Sequence, residues 1–422
     1  MNILWVTNIP FDYHRIMLGM NTSTGNTSGS WLYAAYNASK GCKDFQMHIA
    51  TIASVDVIRS EEHDGSFFYL LPAGSRMYYD SSSVKFLNDW RTLKEQVKPD
   101  LVLIWGSEAK HAYVAMKAMK GVPTVIFVQG IMKSIVGHSR DAIPTKYLYR
   151  TFRDFYDRFY WRSQNNSFKK QIALEKEMYE NAEGVIIEND WAYDTIRAIN
   201  PQIGFFNIQL PINSVFYTNE WSIDKIERYS IFTNAGGLSI KGHHILYKAL
   251  AIVKKSYPGF KCYVPGIRLY SNESFFTKKG YNQYLKDLIK EGGLEENVIF
   301  PGVLNTEKMS EHLCQCNVYV MPSLVENHSS SLIEALITGT PCISSMAGGA
   351  PTLIRQKESG ILYNSMDPES LAGNIIRIFE DDELACKLSK GALQLRESRN
   401  RDFGGEMLKL YKKVISDKII TT

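Results

Sequence analysis

The sequence has no run approaching the ~20 consecutive apolar residues that a membrane-spanning helix requires, so any membrane contact of this chain is expected to be peripheral. Charge of one sign is not in excess. Over 422 residues, 48 basic side chains face 44 acidic ones, a formal net charge of +4. That balance argues against a protein that coats a polyanion, and nucleic acid is not an expected partner. Cysteine is sparse and unpaired: Cys42, Cys262, Cys314, Cys316, Cys342 and Cys386 include a single C-x-C and no second pair. A structural zinc site needs four ligands at short paired spacings, so no metal ligand set is expected, and the thiols read as reduced cysteines of a cytoplasmic protein. The first residues, Met1 to Pro10, lack a basic segment and a long apolar core, and read as a strand rather than a signal peptide.

What is present is a regular alternation of short β-rich runs and helical runs. In the first half the strand candidates are Asn2–Thr7, Gln46–Ala50, Phe67–Leu71, Leu101–Trp105, Thr124–Val128 and Gly184–Ile187. A second series opens near Ser230, with Ser230–Thr233, Lys261–Val264, Val298–Phe300, Val318–Met321 and Pro341–Ser344. Strands alternating with helices imply parallel sheets with helical crossovers. The length fits two domains of about 200 residues. The expected division is 1–212 and 213–403, with a seam near Pro211–Trp221. A final helix over 404–420 shows one apolar face (Met407, Leu410, Tyr411, Val414) and is expected to pack back on the first domain.

In parallel α/β sheets, ligands bind at the carboxyl ends of strands. The densest polar signal at such an end follows Val318–Met321: Glu326, Asn327, His328, Ser329, Ser330 and, further along a helix, Glu334. The free N–H groups and dipole of a helix opening near Ser330 make an anion site able to take a pyrophosphate. Glu326 beside it could accept hydrogen bonds from sugar hydroxyls, and Glu334 those of a ribose diol. The spacing alone is weak, because Glu175/Glu183 and Glu180/Glu188 repeat it without that setting. Ser331-x-x-Glu334 also fits a capping box that merely ties down the helix start. After Thr233 comes Gly236-Gly237-Leu238-Ser239-Ile240-Lys241-Gly242, where small residues allow close backbone approach and Lys241 could neutralise a leaving phosphate; a glycine turn with a solvated lysine is the plain alternative. Gly29 and Ser30 close a long polar loop after the first strand, which does not match G-x-G-x-x-G.

Taken together, these segments resemble the retaining family-4 glycosyltransferases of the GT-B fold. The resemblance rests on the glycine loop before Trp31, Pro99-Asp100-Leu101-Val102, G-G-L-x-x-K-G, Val298 to Gly302, the P-S-x-x-E block with its second glutamate, and Gly339 to Pro351, in that order. It implies an α/β architecture of two Rossmann-like domains with parallel sheets facing a central cleft. It implies a transferase moving a sugar, with retention, from a UDP- or GDP-sugar to a glycan or lipid-linked acceptor in cell-surface polysaccharide synthesis, with no separate cofactor and no metal. By position, Glu326 matches the glutamate facing the donor sugar and Lys241 the phosphate-holding lysine. Glu334 matches the ribose glutamate, Ser329 and Ser330 the pyrophosphate amides, Gly348 and Gly349 the same pocket, and Gly266 and Gly302 the base.

Three departures stand out. Gly237 occupies the place of a common arginine. Gln129-Gly130 stands where many members carry a histidine, and Gln129 cannot act as a base. Asn327-His328-Ser329 replaces the commoner P-F-G. On the acceptor side Trp105, Glu108, His111, Gln129 and Gly130 are candidates, with a surface histidine at a helix start as the alternative for His111. Residues 133–170 hold nine basic and three acidic side chains interleaved with aromatics. This is either a face that docks on anionic lipid or a helix with inward aromatics. A nucleotide-sugar epimerase and a non-catalytic binding protein of the same fold are the rival readings.

Overall fold

The computed structural model describes residues 1–20, 29–73, 79–148, 168–233, 237–266, 269 and 280–421. The chain forms two compact units: 1–133 with 168–211 and 401–422, and 134–167 with 212–400.

The first unit is built on eight strands: β1 (Asn2–Thr7), β2 (Gln46–Ala53), β3 (Arg59–His63), β4 (Ser66–Pro72), β5 (Leu101–Trp105), β6 (Thr124–Phe127), β7 (Gly184–Ile187) and β8 (Gly204–Asn207). Their order across the sheet is β3-β4-β2-β1-β5-β6-β7-β8. All neighbours are parallel except β3, which runs antiparallel to β4 at the edge. The inner strands are continuous apolar runs such as Leu101–Trp105, buried on both faces because helices cover both sides of a parallel sheet. Strands β3 and β8 are exposed or half-buried edge strands. Their weak apolar pattern is why neither is legible in the sequence.

The helix Phe403–Thr421 belongs to this unit and packs on the helix Ser30–Ser39. Met407, Leu410, Tyr411 and Val414 sit in one apolar cluster with Trp5, Phe45 and Trp105. Trp5 Nε1 donates to the Tyr411 hydroxyl at 3.0 Å, which gives a buried polar pair its partners.

The second unit holds β9 (Glu227–Thr233), β10 (Lys261–Tyr263), β11 (Val298–Ile299), β12 (Cys316–Met321), β13 (Cys342–Ser345) and β14 (Ile361–Tyr363). All are parallel, in the order β11-β10-β9-β12-β13-β14. Counted from β9 this is 3-2-1-4-5-6, the doubly wound order whose direction reverses between its first and fourth strands. The reversal lies between β9 and β12, so the loops leaving those two strands flank the crevice.

The domain boundary read from the sequence needs one correction. Residues 134–148 fall inside the expected first domain but pack with the second unit. Tyr147 stacks on Tyr284 with ring centroids 4.7 Å apart, and its hydroxyl donates to Asp287 at 2.7 Å. His244 Nε2 donates to the Asp141 carbonyl at 3.1 Å. Such contacts are non-local, and no local pattern announces them. Of the basic and aromatic segment 133–170, residues 149–167 lie outside the described residues, and Tyr147 within it points inward. Among the described residues, no helix is long and apolar enough to cross a membrane.

Candidate functional site

Three strand-end loops of the second unit are stitched around Glu326. Its Oε1 accepts from Lys241 Nζ at 2.5 Å and from Ser323 Oγ at 2.9 Å. Its backbone carbonyl accepts from Gly349 N at 3.0 Å, which ties in the loop after β13. Leu324 N donates to the Ile240 carbonyl at 2.7 Å, which ties in the loop after β9. Ser345 Oγ donates to the Ser323 carbonyl at 2.5 Å and braces the floor. Lys241 and Glu326 are 85 residues apart in sequence and meet where the sheet order reverses. The spacing of residues could not reveal this ion pair; the sheet topology creates it.

The helix Ser330–Ile337 starts four residues beyond Glu326. Its N-cap is Ser329, whose Oγ accepts from Leu332 N at 3.3 Å. Ser331 is therefore not the cap, and the capping-box role for Glu334 is excluded. Glu334 is half-buried, and burial raises its carboxyl to about 8. Among the described residues no cation pairs with it. The first-turn amides of this helix lack intrahelical acceptors, so anion capacity, one lysine and two carboxylates converge at one strand end.

Gly348 has a positive φ of 52° in the loop that carries Gly349. Gly266 N donates to the Gly302 carbonyl at 2.7 Å, which joins the ends of β10 and β11. Gly237 is exposed, with open space where a Cβ would stand, and Gly236 lies outside the described residues. Asn327 is buried. His328 Nε2 lies 3.1 Å from Arg399 Nη1. Ser323 is the serine of the P-S-x-x-E block, but no sequence pattern pointed to Ser345 or Arg399, because each acts through a tertiary contact.

Residues 217–395 match the family model described as Glycosyl transferases group 1. Over this stretch the chain is similar to group 1 glycosyl transferases. A D-inositol 3-phosphate glycosyltransferase of Nocardioides sp. is 30% identical over 103 residues, covering 24% of this chain and 22% of that protein. The chain thus spans about a quarter of that relative's length. Among solved structures, sucrose-phosphate synthase of Thermosynechococcus elongatus aligns with a TM-score of 0.72 at 17% identity over 99% of both chains. HepE of Anabaena, solved with UDP-glucose, aligns with a TM-score of 0.64 at 15% identity over 100% of both chains. At those identities the structures establish the fold, which is GT-B.

The matched stretch holds Lys241, Gly266, Gly302, Glu326 to Ser330, Glu334, Gly348 and Gly349. The remaining candidates lie in the first unit. Gly29 is left-handed (φ 88°) and opens the helix Ser30–Ser39, with Ser30 as its first residue. Trp105, named on the acceptor side, is fully buried and stacked on Phe127 at 4.6 Å. His111 is likewise interior rather than a surface histidine, with Nε2 3.1 Å from the Thr7 carbonyl. Gln129 is half-buried and Gly130 is buried at the end of β6.

Glu108 follows β5, which lies beside β1 where the first sheet reverses its order. No local pattern places Glu175 near it, yet the two carboxyls interact. Glu175 accepts from Ser107 Oγ at 2.8 Å and from Met132 N at 3.0 Å, and the Tyr179 hydroxyl lies 2.8 Å from the same Ser107 oxygen. Glu108 Oε2 is sealed from solvent and, among the described residues, has no hydrogen-bond partner. Burial, with the Glu175 charge as a lesser cause, raises Glu108 to about 8, and burial raises Glu175 to about 7.

Both carboxyls hold protons more tightly folded than unfolded, where the ordinary value is 4.5. Their contribution is fully present below pH 4.5 and is lost as pH rises through about 7 and about 8. The thermal midpoint is therefore expected to fall between pH 5 and pH 8. The slope cannot exceed about 1.4 kcal/mol per pH unit for each group. Glu175→Gln is expected to flatten it in a melting series; an unchanged slope in that variant would show that the pair is not titrating there.

Proposed function

We propose that this chain transfers a sugar, with retention of configuration, from a UDP- or GDP-sugar to a hydroxyl of a glycan or lipid-linked acceptor in cell-surface polysaccharide synthesis. The observation that carries the reading is the Lys241–Glu326 pair set against a helix N-terminus at the crossover of the second sheet. Lys241 and the helix amides would stabilise the departing nucleoside diphosphate, which is where negative charge grows. Glu326 would hold sugar hydroxyls and Glu334 the ribose. The departing phosphate would take the acceptor proton, consistent with Gln129 offering no base. Lysine and helix dipole supply the positive field, so the reaction is expected to proceed with chelator present. The fold shared with HepE, solved with UDP-glucose, supports a nucleotide-sugar donor. The D-inositol 3-phosphate glycosyltransferase relative supports a second acceptor class, a phosphorylated polyol.

The test is nucleotide release from UDP-, GDP-, ADP- and CMP-sugars in the presence of EDTA. Slow release from one donor supports the transferase. Epimerised sugar without release would make the protein an isomerase, and absence of both binding and turnover would make it a non-catalytic relative.

A further inference from the structure

Arg399 ends the helix Asp382–Arg399 and is buried, 6% exposed. Its Nη1 lies 3.1 Å from His328 Nε2. A guanidinium has donors only and stays charged, so in this contact the imidazole nitrogen must be the acceptor. The proton of a neutral His328 is then fixed on Nδ1. A protonated ring would set two cations at hydrogen-bonding distance in a buried corner. Burial first, and the Arg399 charge second, hold His328 well below its ordinary range. On the same helix as Arg399, Arg396 pairs with Glu220 at 3.1 Å. Arg396 also donates to the Tyr217 carbonyl.

The location gives this contact its meaning. His328 lies two residues after Glu326 and one before the helix cap Ser329. The loop is held on one side by Lys241 on the Glu326 carboxylate and by Gly349 on its carbonyl. The Arg399–His328 bond anchors the same loop to a different helix. The contact lies within the three residues, Asn327 to Ser329, that join Glu326 to the helix start.

We propose that Arg399 is a positioning residue of the donor site, acting through a neutral His328 whose Nδ1 carries the proton to fix the loop between Glu326 and Ser329. The inference rests on the transferase reading. It also assigns a role to the histidine that replaces the family's common aromatic at this place.

The experiment uses the full chain with 15N-labelled histidine, read by long-range 1H–15N correlation from pH 5 to 8, alongside nucleotide-release kinetics. One histidine, identified by its loss in His328→Phe, is expected to stay neutral with its proton on Nδ1 across that range. In Arg399→Met it is expected to titrate or change tautomer, the donor KM to rise about tenfold and kcat to change far less, as displacement of a binding loop implies. Arg399→Lys, which retains a buried donor, is expected to recover part of both readouts and serves if the methionine variant does not fold. A His328 that titrates normally in the wild type overturns the proposal. So does a wild-type donor KM in the variant whose tautomer has changed. Absence of nucleotide release from every donor in the wild type overturns the transferase reading, and the positioning role with it. Wild-type turnover with an unmoved KM in Arg399→Met overturns the positioning role alone.

Discussion

Replacing Lys241 with alanine is expected to lower kcat/KM for the nucleotide-sugar by about 10²- to 10³-fold, the range seen when one preorganised group is removed from a developing negative charge. Two things are lost together. The departing diphosphate loses its positive partner, and among the described residues Glu326 keeps Ser323 alone as a side-chain donor, so the carboxylate is no longer held where a sugar would meet it. Glu326→Ala is expected to cost a similar factor from the other side of the pair. The double variant should then be little worse than either single one, because partners that act as a unit are not additive. Release kinetics on the three variants decide the matter: losses that multiply would show that the two side chains act independently, and wild-type rates would place the reacting centre elsewhere.

Gly242→Ala is expected to be the most damaging small change in the second unit. Gly242 follows Lys241 directly, with a φ of 73°, where a Cβ would stand 1.8 Å from the Pro322 carbonyl oxygen. The neighbour is backbone at the end of β12, so no side chain can swing away. The left-handed conformation alone costs about 1 kcal/mol for a residue with a Cβ. Shifting the loop past Pro322 adds to that, for a total loss of about 3 kcal/mol or more. Donor binding should weaken as well, since Lys241 moves with the loop. Gly237→Ala is the control, because nothing lies within 4 Å of its Cβ position. Denaturant unfolding of the two variants checks this: equal stabilities would mean the loop is not packed on Pro322 as described.

The alternation of β and helical runs was enough to define two doubly wound units, because strands buried on both faces must be continuous apolar segments. The edge strands β3, β8 and β14 escaped that reading: two are half-exposed or exposed, and Ile361–Tyr363 is only three residues long. Glu326, Glu334 and Lys241 were also legible, since each sits at a strand end or on the helix that follows it. Their roles were not separable there, because a capping box and a catalytic helix start share one pattern; the cap at Ser329 removes that ambiguity for Glu334.

Trp105 and His111 show the opposite error. Trp105, at the end of β5, was expected on the acceptor side, and His111, six residues on, either there or on the surface; both are interior. Strand position fixes the edge of the sheet but not the direction a side chain takes beyond it.

By itself, then, the sequence determined the periodicities, the strand ends and the residue types at them, all of which depend on neighbours within a few positions. Which of those ends meet depends on the three-dimensional packing of the sheets. The Lys241–Glu326 pair, the Glu108–Glu175 proximity, the Arg399 anchor on His328 and the packing of residues 134–148 on the second unit each join segments far apart in the chain. Such pairs are set by sheet order and by the crossover between strands, and no local pattern of residues encodes them.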